Sequence, residues 1–316
     1  MTTPSRIPAD RGLTTRMFLT GLFLVVLYAA FGAILWAVFQ SFVLMFVVIF
    51  GLLFAQYWFS DKIALWGMRA RIVTPEQAPQ LHGAIDRLCA LADMPKPRVA
   101  IADTDLPNAF ATGRSPKSAV VCATTGILRR LDEPELEAVL AHELSHVAHR
   151  DVAIMTIASS LGVLAGLMTR MMLFATIFGG RGRSQSAGQL VLMEMAVMLV
   201  SIVVYAISYL LTMALSRYRE LAADRSGALL IGRPSLLASA LVKVTGDMAR
   251  IPTRDLRRAE PFNAFFFTPA MTHRPGQQGN QGGGFSLSSL FSTHPSLERR
   301  LAQLSELEAQ LGGQSH

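Results

Sequence analysis

From Met17 to Phe39 the chain runs 23 residues without a charged side chain. That exceeds the roughly 20 apolar residues a helix needs to cross a bilayer. Gln40-Ser41 leads directly into a second apolar run, Phe42 to Phe59. A signal sequence has a shorter apolar core, so two consecutive runs read instead as a transmembrane hairpin that returns the chain to its starting side. Two further runs follow, Val152 to Phe178, interrupted by Arg170, and Leu190 to Leu215, which contains Glu194. Residues 152–169 are just long enough to span, with Arg170 reaching toward head groups. Glu194 lies five residues into its run and reads as interfacial or water-facing. The expected class is a mainly α-helical membrane protein with a small β-sheet. Its 16% of charged residues, against about 25% in soluble domains, agrees.

Charge placement gives an orientation. Arg6, Arg11 and Arg16 precede the first run, and Lys62, Arg69 and Arg71 follow the second. Basic flanks on both sides put the N-terminus and the segment after Ser60 in the cytoplasm. The net charge of +7 comes without an aromatic-interleaved basic motif, which argues against nucleic acid and for an anionic membrane surface. Cys89 and Cys122 have no partner at metal or redox spacing and read as buried free thiols.

The polar segments divide the chain into residues 1–60, a tail and hairpin; 61–151, an α/β segment; 152–215, a second transmembrane pair; and 216–316, a C-terminal segment. In the α/β segment Thr74 and Pro75 predict a helix start, with helical spacing over Gln80–Leu91. Strands are expected at Arg98–Ala102, near Asn108–Gly113 and at Ser118–Ala123, forming a small sheet whose exposed edge could accept a substrate strand. Asp132 is the expected N-cap of a helix with Pro134 and Glu135 in its first turn and Leu136, Val139, Leu140, Leu144 and Val147 on its packing face. After Ser216, helices are expected near 216–231 and 235–249. A Gly/Gln/Pro-rich loop, Pro275–Gly284, and a final helix from Ser296 to about Leu311 follow.

That Asp132-capped helix carries Ala141-His-Glu-Leu-Ser-His-Val-Ala-His-Arg-Asp151. His142 and His146, four residues apart, stack on one helical face and can close on one zinc ion. Glu143 is displaced around the helix, where it reaches a metal-activated water as general base. A catalytic zinc needs a third protein ligand. His149 is in register but too far along the axis, and reads as a helix-end residue stabilised by the C-terminal dipole. Glu220 is the better candidate. The His pair lies just before the third apolar run and Glu220 just after the fourth, so two crossings bring them to the same membrane face. Asp224, one turn beyond Glu220, is placed to orient an imidazole N–H.

Two rivals arise. An intramembrane metalloprotease is disfavoured because Glu133, Glu135, Glu137, Arg150 and Asp151 flank the motif. A scaffold with a structural zinc normally uses four protein ligands, often cysteines, which this chain keeps far apart.

His142-Glu-Leu-Ser-His146, Glu220-x-x-x-Asp224, Asn108-Ala-Phe-Ala-Thr-Gly113 and Thr293-His-Pro295, with two pairs of apolar runs, resemble the HtpX-type membrane zinc endopeptidases, bacterial quality-control proteases related to the CAAX prenyl proteases. The resemblance covers nearly the whole chain; the Gly-rich insertion before Thr293 matches least. It implies a zincin-like (gluzincin) catalytic domain on two transmembrane helix pairs in the bacterial inner membrane, with the active site facing the cytoplasm. It also implies one Zn2+ per chain, misfolded or damaged membrane proteins as substrates, and Glu220 as third ligand. By the same resemblance Asn108 grips substrate backbone and His294 stabilises the transition state. On sequence alone Asn108 is a turn residue and His294 a helix-entry residue.

Overall fold

The computed structural model describes residues 11–38, 51, 54–55, 57–156, 158–159, 162, 165–166, 169–170, 185–250, 267 and 292–313. Most of the expected second and third apolar spans, the Glu194 side chain and the Pro275–Gly284 loop lie outside the described residues. Helix α1 (Arg11–Val38) carries most of the first apolar run. Among the described residues, two helical stretches are long and apolar enough to cross a membrane: Thr14–Ala33 of α1, and Met195–Ile231 within a later helix. Their outer faces expose large apolar side chains, among them Phe18 at 67% and Leu199 at 63%, which lipid can cover at no desolvation cost. Their inner faces meet through Leu24 and Leu215, with Ala158 between them. The Ala158 carbonyl accepts from both Tyr28 Oη and Thr212 Oγ1 at 3.1 Å.

The polar region begins with α2 (Ser60–Gly67) and strand β1 (Ala70–Ile72). Then come α3 (Pro79–Ala92), β2 (Arg98–Ala102), β3 (Ala109–Thr112), β4 (Val120–Thr124) and the short α4 (Thr125–Arg130). Helix α3 starts four residues later than expected. Thr74 closes a turn instead, its carbonyl accepting from the Gln77 and Ala78 N–H groups and its own N–H donating to Gln77 Oε1. Pro79 then serves as the first-turn proline.

The sheet order is β1-β2-β4-β3, with β2 parallel to β4 and both outer pairs antiparallel. Every residue of β4 is buried because both sheet faces are covered. Val121 and Ala123 face the main core, whereas Val120 and Cys122 face Ala64 of α2 with Ala100, Ala102 and Phe110. Cys89 and Cys122 are free and buried, and burial pushes their thiols up to about 11 and about 12, which keeps them unreactive.

Helix α5 (Glu133–Ala148) packs on β3, beside the sheet. Its N-terminus is a capping box, in which Asp132 Oδ1 accepts from the Glu135 N–H and Glu135 Oε2 accepts from the Asp132 N–H. The fourth apolar run and the helix expected after it are one continuous element, α6 (Gln185–Ile231). No proline or glycine occurs between Gly188 and Gly227, so the chain has no reason to break where the apolar run ends at Leu215. Among the described residues two further helices follow, α7 (Pro234–Arg250) and α8 (Leu297–Gly313).

Candidate metal centre

Two helices cross to make the site, and their backbones touch. A Cβ built on Gly227 of α6 would lie 2.7 Å from His142 N and 2.9 Å from its Cα. Only glycine permits that approach. It brings Glu220, two turns earlier on α6, to the His pair of α5. His142 Nε2 and His146 Nε2 are 3.2 Å apart. Glu220 Oε1 lies 3.5 Å from His146 Nε2, and Glu220 Oε2 lies 3.9 Å from His142 Nε2. These three residues form one donor group whose ligand atoms all lie within 4.8 Å of one another. Bonds of about 2.0–2.1 Å in a tetrahedral arrangement put donors about 3.3 Å apart, so the group fits a metal ion with little movement.

The remaining ring nitrogens are held by carboxylates. His142 Nδ1 is 3.0 Å from Asp224 Oδ1, and His146 Nδ1 is 2.5 Å from Asp151 Oδ2. Such partners fix ring orientation and leave both Nε2 atoms for a metal. Asp224 also receives Arg300 Nε at 2.7 Å and Nη2 at 2.6 Å, and Arg219 forms an ion pair with Asp151, Nε to Oδ2 2.9 Å. Asp151 reaches back because the chain turns sharply after α5, with Arg150 at φ 56°, in the left-handed region.

Glu143 is 4% exposed, and its carboxylate accepts from the Ala111 N–H of β3. Burial pushes it up to about 8, with the Glu220 charge adding to that rise against the opposing pull of His146, Ala111 N–H and Arg300. Burial drives His142 below the usual imidazole range despite the Asp224 carboxylate. For His146 the carboxylates of Asp151, Glu220 and Glu143 outweigh burial, and the ring is held above that range. The carboxylates of Asp151, Glu220 and Asp224, all buried, surround the two imidazoles, a donor set suited to a cation.

The structure thus gathers His142, Glu143, His146, Glu220 and Asp224. His294 joins them, its Nδ1 3.1 Å from Glu220 Oε2. His149 is the C-cap of α5 and stands outside the donor group. Asn108 is fully buried, its Oδ1 accepting from the backbone N–H of Phe267 at 2.8 Å. Sequence reasoning missed three participants. Asp151 sits at an unhelical spacing of five from His146, reachable only through the turn at Arg150. Arg300 is one of several charged residues on α8, with no spacing signal that singles it out. Phe267 has no motif at all.

The class follows from this chemistry: a metal-dependent hydrolase anchored by apolar helices. Comparison with known proteins narrows it. The model for peptidase family M48 matches residues 75–308. Protease HtpX homolog 1 of Streptomyces coelicolor is 56% identical over 308 residues, covering 98% of this chain and 97% of that protein. A protease HtpX homolog of Moorella thermoacetica is 50% identical, covering 97% and 98%. The crystal structure of S. mikatae Ste24p aligns with 93% of this chain and 66% of its own, at 19% identity and a TM-score of 0.48. The chain belongs to peptidase family M48 and is a membrane metalloendopeptidase.

Proposed function

We propose that the protein hydrolyses peptide bonds with one zinc ion held by His142, His146 and Glu220, and that it does so on misfolded or damaged membrane proteins at the cytoplasmic face of a bacterial inner membrane. The observation that carries the reading is the convergence of those three donors with a buried glutamate, Glu143, beside them. Bound zinc supplies Lewis acidity toward a carbonyl and lowers the pKa of a water. Glu143, buried beside the donor group, takes the water proton and delivers it to the leaving amine. His294 stabilises charge on the carbonyl oxygen, and Asn108 grips substrate backbone. Asp224 and Asp151 hold the two imidazoles in place. The β3 edge, next to Glu143, offers main-chain groups to an extended substrate.

In this reading the architecture is a gluzincin catalytic domain on two transmembrane pairs. Residues 1–60 and 152–215 supply the pairs, and 61–151 and 216–316 supply the catalytic parts. The sequence similarity to HtpX proteases and the basic flanks of the first two runs support the membrane placement.

The test is casein cleavage and metal content of detergent-purified wild type and Glu143→Ala. The expected result is one zinc per chain in both, with the rate in the variant down about 10²–10⁴-fold. Cleavage at the wild-type rate in Glu143→Ala would remove the general-base assignment, whereas a wild type that binds zinc and cleaves nothing would revive a non-enzymatic zinc scaffold.

A further inference from the structure

Phe267 lies between α7 and α8 and is 2% exposed, so it is firmly seated although no helix or strand holds it. What holds it is the site. Its N–H donates to Asn108 Oδ1 at 2.8 Å, and its carbonyl accepts from Arg300 Nη1 at 3.0 Å. Its ring and the His142 ring are nearly perpendicular at a centroid distance of 5.1 Å, and the Arg300 guanidinium lies 5.1 Å from the Phe267 ring centroid. Arg300 spends its other two donors on Asp224, which in turn holds His142 Nδ1. One residue is therefore fixed by both main-chain groups and by its side chain, in register with a metal ligand.

Backbone groups of core residues are mostly satisfied by other backbone groups. A side-chain acceptor for the amide, a side-chain donor for the carbonyl and an apolar slot for the side chain instead make up the means by which a cleft binds one residue of a passing chain. We propose that Phe267 is a built-in pseudosubstrate: it occupies the subsite in which a substrate residue with a large apolar side chain binds, so that substrate must displace it. The inference rests on the peptidase reading and adds to it a side-chain preference and an internal competitor. Asn108 and Arg300 bind whichever chain is present, and the slot beside His142 selects for aromatic or large aliphatic residues. If Phe267 holds the subsite nine-tenths of the time, the apparent affinity for any competing peptide falls about tenfold.

The experiment uses full-length protein in detergent micelles and a fluorescein-labelled, end-capped peptide copying residues 263–271. Binding is read by polarisation, independently of turnover, and casein cleavage is measured alongside. Phe267→Ala, with metal content unchanged, is expected to bind the peptide about tenfold more tightly than wild type and to cleave casein with a lower KM. A control peptide with aspartate at the position of Phe267 is expected not to bind either protein. Equal affinity of wild type and Phe267→Ala for the copy peptide would overturn the proposal and leave Phe267 a fixed core residue. If Phe267→Ala is destabilised, wild type alone decides: discrimination between the copy and control peptides supports the subsite, and its absence overturns it. Tighter peptide binding by Phe267→Ala without casein cleavage by either protein would keep the subsite and sink the peptidase reading. Cleavage with equal binding would do the reverse.

Discussion

Helices α5 and α6 build one candidate metal centre from opposite starting points. Helix α5 is 16 residues long, begins at a complete capping box and is buried by α3, the sheet and α7. Helix α6 is 47 residues long, is apolar on nearly all sides for its first half, and changes surroundings partway without a break. In α5 the local sequence states both where the helix starts and what it carries. In α6 the start of the chemistry, at Glu220, lies inside an element whose length is set by the absence of breakers. The lesson is that the third donor is positioned by a rod rooted among apolar helices, whereas the His pair is positioned by a capped helix in a conventional core. Substitutions in α6 are expected to act on geometry, and those in α5 on chemistry or on helix stability.

The crossing point is the sharpest place to break that division. Gly227→Ala puts a methyl against the His142 backbone, so one helix must move. The expected cost is about 3 kcal/mol, near the upper end for overpacking, together with loss of metal. Thermal unfolding with metal analysis checks it, and normal metal content would show that the helices can separate without opening the site. Next in size is Asp151→Asn, which weakens the carboxylate behind His146 while leaving the donor atoms intact. Metal affinity is expected to fall about 10–100-fold in a competition titration with a chelator. An unchanged affinity would show that Arg219 and the helix alone orient the ring.

The smallest effects belong to the α5 cap. Asp132→Ala should cost about 1 kcal/mol of stability with activity per folded, metal-loaded molecule unchanged. Glu135 adds a pH dependence. Burial works to raise its pKa, but Lys243, Ser239 and the Asp132 N–H outweigh it, so the folded value lies below the ordinary 4.5. A depressed folded pKa contributes stability that is present above the unfolded value and is lost as pH falls through the folded one. Replacing it, Glu135→Gln, should therefore lower the melting temperature at pH 7 and flatten its decline below about pH 4.5. An identical acid decline in wild type and variant would show that Glu135 is not linked to folding.

Much of this was legible in the residues themselves. The Asp132 cap, the sheet strands, the His pair and Glu220 all follow from local spacing or from counting crossings. Two things were not. The junction at Leu215–Ser216 reads as a boundary because hydropathy changes there, yet a helix ends for want of backbone partners or at a breaker, and neither occurs before Gly227. Asp151, Arg300 and Phe267 are brought in by tertiary contacts, through an αL turn and through α8, whose sequence spacing carries no trace of the contact.

The most direct test is the metal content of Glu220→Ala beside wild type, measured after the same purification and dialysis, with helicity recorded to confirm folding. One zinc per chain is expected in wild type and little in Glu220→Ala, at equal helicity. A folded Glu220→Ala that keeps one tightly bound zinc would contradict that expectation, because the third donor would then lie elsewhere than on α6.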